Sequence, residues 1–321
     1  MDKRIVVSRV VPESALDVLR EVGDVHVCPQ DRPLTAPELR EAVRGAHAIV
    51  TMLHDRVDAE LVEAAGPQLE VVANVAVGYD NVDVPAVTER GVTVTNTPGV
   101  LVDATADLTI GLLLMATRRL GEGERLLRSR RPWTFHLGFM LGAGLQGKTL
   151  GIVGLGDIGQ AVARRARAFG MDIAYTGRRR VAADVEAELD ARFLTKDELL
   201  RTADVVSLHC PLTEQTRHLI DEAALTAMKP TAFLINTSRG PVVDEGALAK
   251  ALHEQRIGGA ALDVFEREPE VEPALLDLDN VVVVPHLGSA TTETRTAMAE
   301  LAARNAAAVL SGREPLNPVR S

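Results

Sequence analysis

A doubly wound α/β architecture in two parallel-sheet domains is predicted by three features of this 321-residue chain. Short β-branched runs alternate with helical patterns along most of the sequence. Two separate series of such runs can be followed, and a glycine-rich strand-to-helix turn lies in mid-chain. With 46% apolar residues, the chain can bury one large core or two medium ones.

The first series of strands is read at residues 4–8, 48–51, 71–74 and 92–95. The second lies at 149–154, 172–175, 204–208, 232–236, 259–262 and 281–284. Many of these runs are apolar on both faces, as parallel strands are when helices cover both sides of their sheet. Helical spacing fills the gaps at 13–22, 37–43, 59–65, 158–169, 196–201 and 245–253. The turn-forming tripeptide Thr97-Pro98-Gly99, before a helix at 103–120, marks the join between domains. The glycine turn begins only near residue 150. A domain of residues 100–287 is therefore expected to be inserted into one made of 1–99 and 288–321, which a helix at 292–310 completes. Residues 121–147 show little pattern, are rich in Arg, Gly and aromatics, and are long enough for a functional or oligomeric role.

Composition narrows the function. A net charge of -10 argues against nucleic acid or an anionic membrane as the main partner. The longest apolar run, 108–117, is too short to span a bilayer, and the N-terminus reads as a strand rather than a signal peptide. The two cysteines, Cys28 and Cys210, are far apart, which fits a reducing cytoplasm. None of the eight histidines falls in HxxxH or HExxH spacing, so no metal site is expected.

The mid-chain turn reads Gly154-Leu155-Gly156-Asp157-Ile158-Gly159, between a strand and a helix. This is GxGxxG in its proper context. The first glycine allows the tight turn, the second lets backbone approach a pyrophosphate, and the third lets helix and strand pack closely. The helix start at Asp157-Ile158 offers N–H groups and positive dipole to phosphates. NAD-specific sites place an acid at the end of the next strand. Here that strand leads into Gly177-Arg178-Arg179-Arg180, with no acid until Asp184. Arginines there can bind a 2′-phosphate, so NADP(H) is favoured over NAD(H), although a solvated basic turn is the plainer alternative.

Three chemically competent residues fall just beyond strand ends, where ligands sit in doubly wound folds. Arg239 follows the strand ending at Asn236, Glu268 follows the strand before Asp263, and His286 follows the strand ending at Val284. Arg239 can hold a carboxylate in a bidentate fork and polarise the neighbouring carbonyl. His286 can donate a proton as hydride reaches the carbon, and Glu268 can orient the imidazole and favour its charged form. Position alone also suits ordinary structural or surface roles.

Together these segments resemble the D-isomer-specific 2-hydroxyacid dehydrogenases over nearly the whole chain. The resemblance rests on Val77-Gly78-Tyr79-Asp80-Asn81-Val82-Asp83, the GxGxxG turn and Asn236-Thr237-Ser238-Arg239-Gly240. It rests equally on Leu262-Asp263-Val264-Phe265 with Glu268-Pro269, and on Pro285-His286-Leu287-Gly288-Ser289-Ala290. The resemblance implies a Rossmann domain inserted in a flavodoxin-like substrate domain, with Arg239, Glu268 and His286 catalytic. It implies that the backbone at Val77-Gly78 holds the substrate carboxylate. Thr237, Asp263 and Gly288 match positions near the nicotinamide, and Cys210-Pro211 a cofactor-lining segment. Within the family, Tyr175-Thr176-Gly177-Arg178, the residues 133–144 and Leu53 before Val57-Asp58 look like glyoxylate/hydroxypyruvate reductases, which gives Leu53 a place among the substrate contacts.

The implied activity is reduction of glyoxylate or hydroxypyruvate to a 2-hydroxy acid. A dehydrogenase for a bulkier 2-oxo acid and a nucleotide-sensing corepressor-like protein are the alternatives. A two-fold homodimer is expected, because the helix at 103–120 is apolar on nearly all faces from Leu108 to Met115. In such enzymes an aromatic of the partner's loop can close the pocket, and Trp133 and Phe139 are both candidates.

Overall fold

The computed structural model describes residues 3–30 and 32–319, which divide into two compact units: one of residues 1–101 with 291–321, the other of 102–290. The expected division placed these boundaries at 99/100 and 287/288.

The first unit is a five-stranded parallel sheet. Its strands are β1 (Arg4–Val7), β2 (Asp24–Val27), β3 (Ala48–Thr51), β4 (Val71–Asn74) and β5 (Thr93–Thr95), in spatial order β2-β1-β3-β4-β5. This is the flavodoxin-like order. Helices α1 (Glu13–Arg20), α2 (Ala36–Ala42), α3 (Ala59–Ala65) and α4 (Val84–Thr88) connect them, and the C-terminal helix Thr292–Leu310 packs against α1, β3 and β4. β3 and β4 are buried at every position, as double coverage by helices requires. β2 was missed in the sequence because it is an edge strand, Asp24-Val25-His26-Val27, whose charged positions alternate outward.

The second unit opens with α5 (Val102–Thr117) and α6 (Leu120–Arg128) and then builds a seven-stranded parallel sheet. The strands are β6 (Thr149–Val153), β7 (Asp172–Thr176), β8 (Ala191–Phe193), β9 (Val205–Leu208), β10 (Phe233–Asn236), β11 (Gly259–Leu262) and β12 (Val281–Val283). Between them run α7 (Asp157–Ala168), α8 (Ala183–Leu189), α9 (Lys196–Thr202), α10 (Glu222–Ala227), α11 (Glu245–His253) and α12 (Pro273–Leu276). The order β12-β11-β10-β9-β6-β7-β8 reverses direction between β6 and β9. Alternate residues feed two cores: Leu234 and Val206 face the side of α9–α11, while Ile235 and Val205 face that of α5 and α7.

Two sequence expectations are corrected here. The helix expected at 103–120 ends at Thr117, because Arg119 takes the left-handed conformation (φ 53°) and a separate helix begins at Leu120. The first third of the expected loop 121–147 is therefore helical. On α5, Ile110, Leu112, Leu113 and Ala116 are buried, and the helix packs on α7, β10, β11 and β12, while Leu108, Leu114 and Met115 are half-buried. The exposed apolar residues lie further on, at Leu120, Leu127, Trp133, Phe135, Leu137 and Leu141. No helix among the described residues is long and apolar enough to cross a membrane.

Candidate active site

The turn after β6 opens the sheet at its switch point. Gly154 has φ 95°, and a Cβ there would lie 2.9 Å from the backbone of His209 and Cys210, just beyond β9. Only glycine permits both the angle and the approach. A Cβ on Gly159 would fall 2.3 Å from the Gly154 carbonyl oxygen, whereas one on Gly156 would meet nothing within 4 Å. Gly156 is the N-cap of α7 and no side chain caps that end, so N–H groups around Asp157 and Ile158 face open space. A bare helix start beside an unfilled glycine is a fitting cradle for a pyrophosphate. Its wall is neutral: burial holds the His209 imidazole down to about 4 and pushes the Cys210 thiol up to about 11.

β7 leads to Gly177, Arg178, Arg179 and Arg180, all exposed. The arginines are not equivalent. Helix α8 turns back so that Glu186 receives Arg180 at 2.6 and 2.8 Å, and the Tyr175 hydroxyl donates to the same carboxylate. Arg180, expected among the cofactor-binding arginines, makes this ion pair at the exposed surface. Arg178 and Arg179 stand beyond the strand end next to it. In the sequence, Glu186 lay two residues past the acid already considered, and only the turn of the helix reveals it.

Arg239, Glu268 and His286 come together at the ends of β10, β11 and β12. Asn236, buried at the end of β10, shapes the arginine loop. Its Oδ1 accepts from the Ser238 N–H (3.0 Å) and hydroxyl (2.9 Å), and its Nδ2 donates to the Arg239 carbonyl (3.0 Å). At Gly240 the loop runs so close to Phe265 that a Cβ would fall 1.9 Å from its carbonyl carbon. The arginine and glutamate loops are therefore packed backbone to backbone.

The histidine turn is built on Asp263. The Asp263 carbonyl accepts the His286 N–H at 2.9 Å, while its carboxylate accepts those of Leu287 (2.5 Å) and Gly288 (2.8 Å). These bonds hold His286 at φ 52°, a conformation costly for a residue with a Cβ. Burial pushes the Asp263 carboxyl above the usual range, against the pull of the two N–H donors and of His286. The ring of His286 then meets Glu268: Nδ1 lies 2.8 Å from Oε2, while Oε1 accepts the Phe265 N–H at 3.0 Å. Both side chains are mostly buried. From α5, the Thr109 hydroxyl bonds that of Thr237 (2.9 Å) and Thr105 donates to the Gly288 carbonyl (3.2 Å). Sequence reasoning missed Asn236, Thr105 and Thr109 as supports, since nothing in their spacing separates them from ordinary core polar residues.

Leu53, Val77 and Gly78 lie in the other unit, in the loops after β3 and β4. Asn81 joins these loops by donating to the carbonyls of Met52 (3.2 Å) and Asp55 (2.9 Å). Asn96 and Asn74 donate to the carbonyls of Val77 (2.8 Å) and Gly78 (3.1 Å). The carbonyls of this glycine loop are thereby fixed. Among the described residues, no group of three or more His, Cys, Asp or Glu is arranged to hold a metal ion.

Known proteins share both the sequence and the fold. Residues 110–288 match the NAD-binding domain of the D-isomer specific 2-hydroxyacid dehydrogenases. A glyoxylate reductase of Thermococcus onnurineus is 49% identical over 319 residues, covering 98% of this chain and 95% of the relative. A glyoxylate reductase of Pyrococcus furiosus is 48% identical over the same length, covering 98% and 94%. The structure of an NADPH-dependent glyoxylate/hydroxypyruvate reductase from Sinorhizobium meliloti, in complex with NADP and malonate, superposes with a TM-score of 0.87 at 37% identity, covering 99% of this chain and 97% of that one. Identity of this degree over the full length leaves one assignment, and the chain belongs to the D-isomer specific 2-hydroxyacid dehydrogenases.

Proposed function

We propose that this enzyme reduces small 2-oxo acids, glyoxylate and hydroxypyruvate, to 2-hydroxy acids in a reducing cytoplasm, with NADPH preferred to NADH and with His286 as the proton donor. The observation that carries the reading is the His286 Nδ1 contact with Glu268, formed beside the Arg239 loop. A nicotinamide dinucleotide, when bound, supplies the hydride. The glycine turn Gly154–Gly159 holds its pyrophosphate, with Cys210, Pro211, Thr237, Asp263 and Gly288 along the remaining wall. Arg239 binds the substrate carboxylate and polarises the carbonyl. In the first unit, the backbone N–H groups of Val77 and Gly78, with Leu53 beside them, are assigned to substrate binding on the family resemblance. Glu268 fixes Nδ1, so the Nε2 proton is the one delivered to the carbonyl oxygen. The names of the relatives favour a small substrate, and the unpaired thiols of Cys28 and Cys210 fit a reducing compartment. A panel of 2-oxo acids with reduced cofactor tests the assignment. Glyoxylate and hydroxypyruvate should oxidise NADPH fastest; a clear preference for phenylpyruvate would move the enzyme to a bulkier substrate, and no turnover would overturn the reading.

Loss of the proton donor should be expensive. His286→Ala is expected to lower kcat by roughly 10²- to 10⁴-fold, and Arg239→Ala to damage both KM and kcat. Near-normal turnover by His286→Ala would remove that residue from the mechanism. The pH dependence follows from the same pair. Reduction requires a protonated ring, so reductive kcat/KM is present at low pH and lost as the ring deprotonates. Glu268→Gln, which removes the carboxylate facing Nδ1, should change that profile. A profile unchanged by the substitution would dissolve the pairing.

Cofactor preference is assigned to Arg178 and Arg179, with Arg180 confined to bracing their loop. Exposed pairs are partly screened, which leaves a preference for NADPH on the order of 10- to 100-fold. Replacing Arg178 and Arg179 by Ala should raise KM for NADPH and leave that for NADH nearly unchanged. Equal kcat/KM for the two cofactors in the wild type would contradict the assignment.

The assembly proposed is a two-fold homodimer built on the exposed apolar stretch from Leu120 to Leu141. Within it, Trp133 and Phe139 stack with ring centroids 5.7 Å apart, forming one aromatic plate for the partner. Light scattering at micromolar concentration should report a dimer; a fully active monomer would refute this.

A further inference from the structure

The loop that carries Glu268 is held by a residue outside every motif discussed so far. Glu245, the first residue of α11, is only 4% exposed. Its Oε1 accepts the backbone N–H of Glu266 at 2.6 Å. The carboxylate thus grips the segment two residues before Glu268. The helix does not need Glu245 as a cap, because Asp244 already accepts the Ala247 N–H at 2.9 Å. Keeping a carboxylate in this place is costly. Burial, and then the charges of Glu266 and Glu272, push Glu245 above the usual carboxylate range, against the pull of the backbone N–H groups.

The grip acts next to the reacting pair. Glu268 Oε1 accepts the Phe265 N–H, and Glu245 accepts the N–H of the very next residue. The two donors sit on successive peptides joined at the Phe265 Cα, so a shift of the Glu266 N–H is passed to the donor that sets the Glu268 carboxylate, and with it to the approach of Oε2 to His286. On the outer side, His218 Nε2 pairs with the Glu266 carboxylate, and Arg267 lies 3.7 Å from that of Glu272. Glu245 also lies five residues after Gly240, on the helix entered directly from the arginine loop.

We propose that Glu245 is a positioning residue, whose carboxylate fixes the 265–272 loop so that Glu268 meets His286 in register with the Arg239 loop. This rests on the Glu268–His286 pairing proposed above. The test compares the full-length enzyme with Glu245→Ala, Glu245→Gln, Glu268→Gln and the Glu245→Ala/Glu268→Gln double variant. Reductive kcat/KM for glyoxylate is followed against pH at saturating NADPH, with Tm measured alongside. Misplacement near the chemistry should lower kcat in Glu245→Ala by about tenfold or more, with a smaller change in KM. Its pH profile should change as that of Glu268→Gln does. Glu245→Gln, which keeps one of the two acceptor oxygens, should be intermediate. On the Glu268→Gln background, Glu245→Ala should not change the profile further. A Glu245→Ala enzyme that loses Tm yet keeps the wild-type profile overturns the proposal while leaving the pairing intact, and a further shift in the double variant does the same. A Glu268→Gln profile identical to wild type removes the pairing itself, and this proposal with it. Should Glu245→Ala not fold, a wild-type profile in Glu245→Gln overturns the proposal.

Discussion

A histidine has two ring nitrogens, and the partner given to one decides what the other can do. Here Glu268 lies 2.8 Å from Nδ1 of His286, and in the proposed mechanism Nε2 is the nitrogen that delivers the proton. Much of the surrounding architecture serves that contact. Asp263 draws two successive N–H groups onto one carboxylate and holds His286 in a left-handed turn. Gly240 lets the arginine loop lie directly on Phe265, whose N–H in turn holds Glu268. Removing any of these supports would leave the residues present but misdirected.

The balance of forces differs between the site and the rest of the molecule. Elsewhere, stability rests on parallel strands buried on both faces and on helices packed over them. Surface ion pairs such as Arg164 with Glu188 add little. At the site, carboxylates are taken out of water and satisfied by backbone N–H groups instead of cations, as at Asp263 and Glu245. That arrangement is expensive to bury but rigid, because the donors belong to the main chain and cannot swing away.

What the sequence could convey follows from the range of each signal. The strands of both sheets were legible because β-branched runs buried on two faces have few alternatives. The turn Gly154–Gly159 was legible because its geometry is local, whereas Arg239, Glu268 and His286 were singled out by their places beyond strand ends only together with the family resemblance. Edge strands β2 and β8 were not, since half-exposed short runs carry charge and look like loops. The α5–α6 break depends on a left-handed Arg119 that composition does not reveal. Glu245 belongs to no motif, and Arg180 stands in a run of three arginines. Their partners, the Glu266 peptide and Glu186, become neighbours only after folding.

The claim at the centre of this account is that Glu268 fixes the tautomer of His286. Nitrogen-15 NMR of the enzyme labelled at histidine reads this directly, with His286→Asn used to assign the signal. Above the pH at which the ring deprotonates, the account predicts a proton retained on Nδ1 and a bare Nε2. A neutral ring protonated on Nε2, with Nδ1 bare, would contradict it.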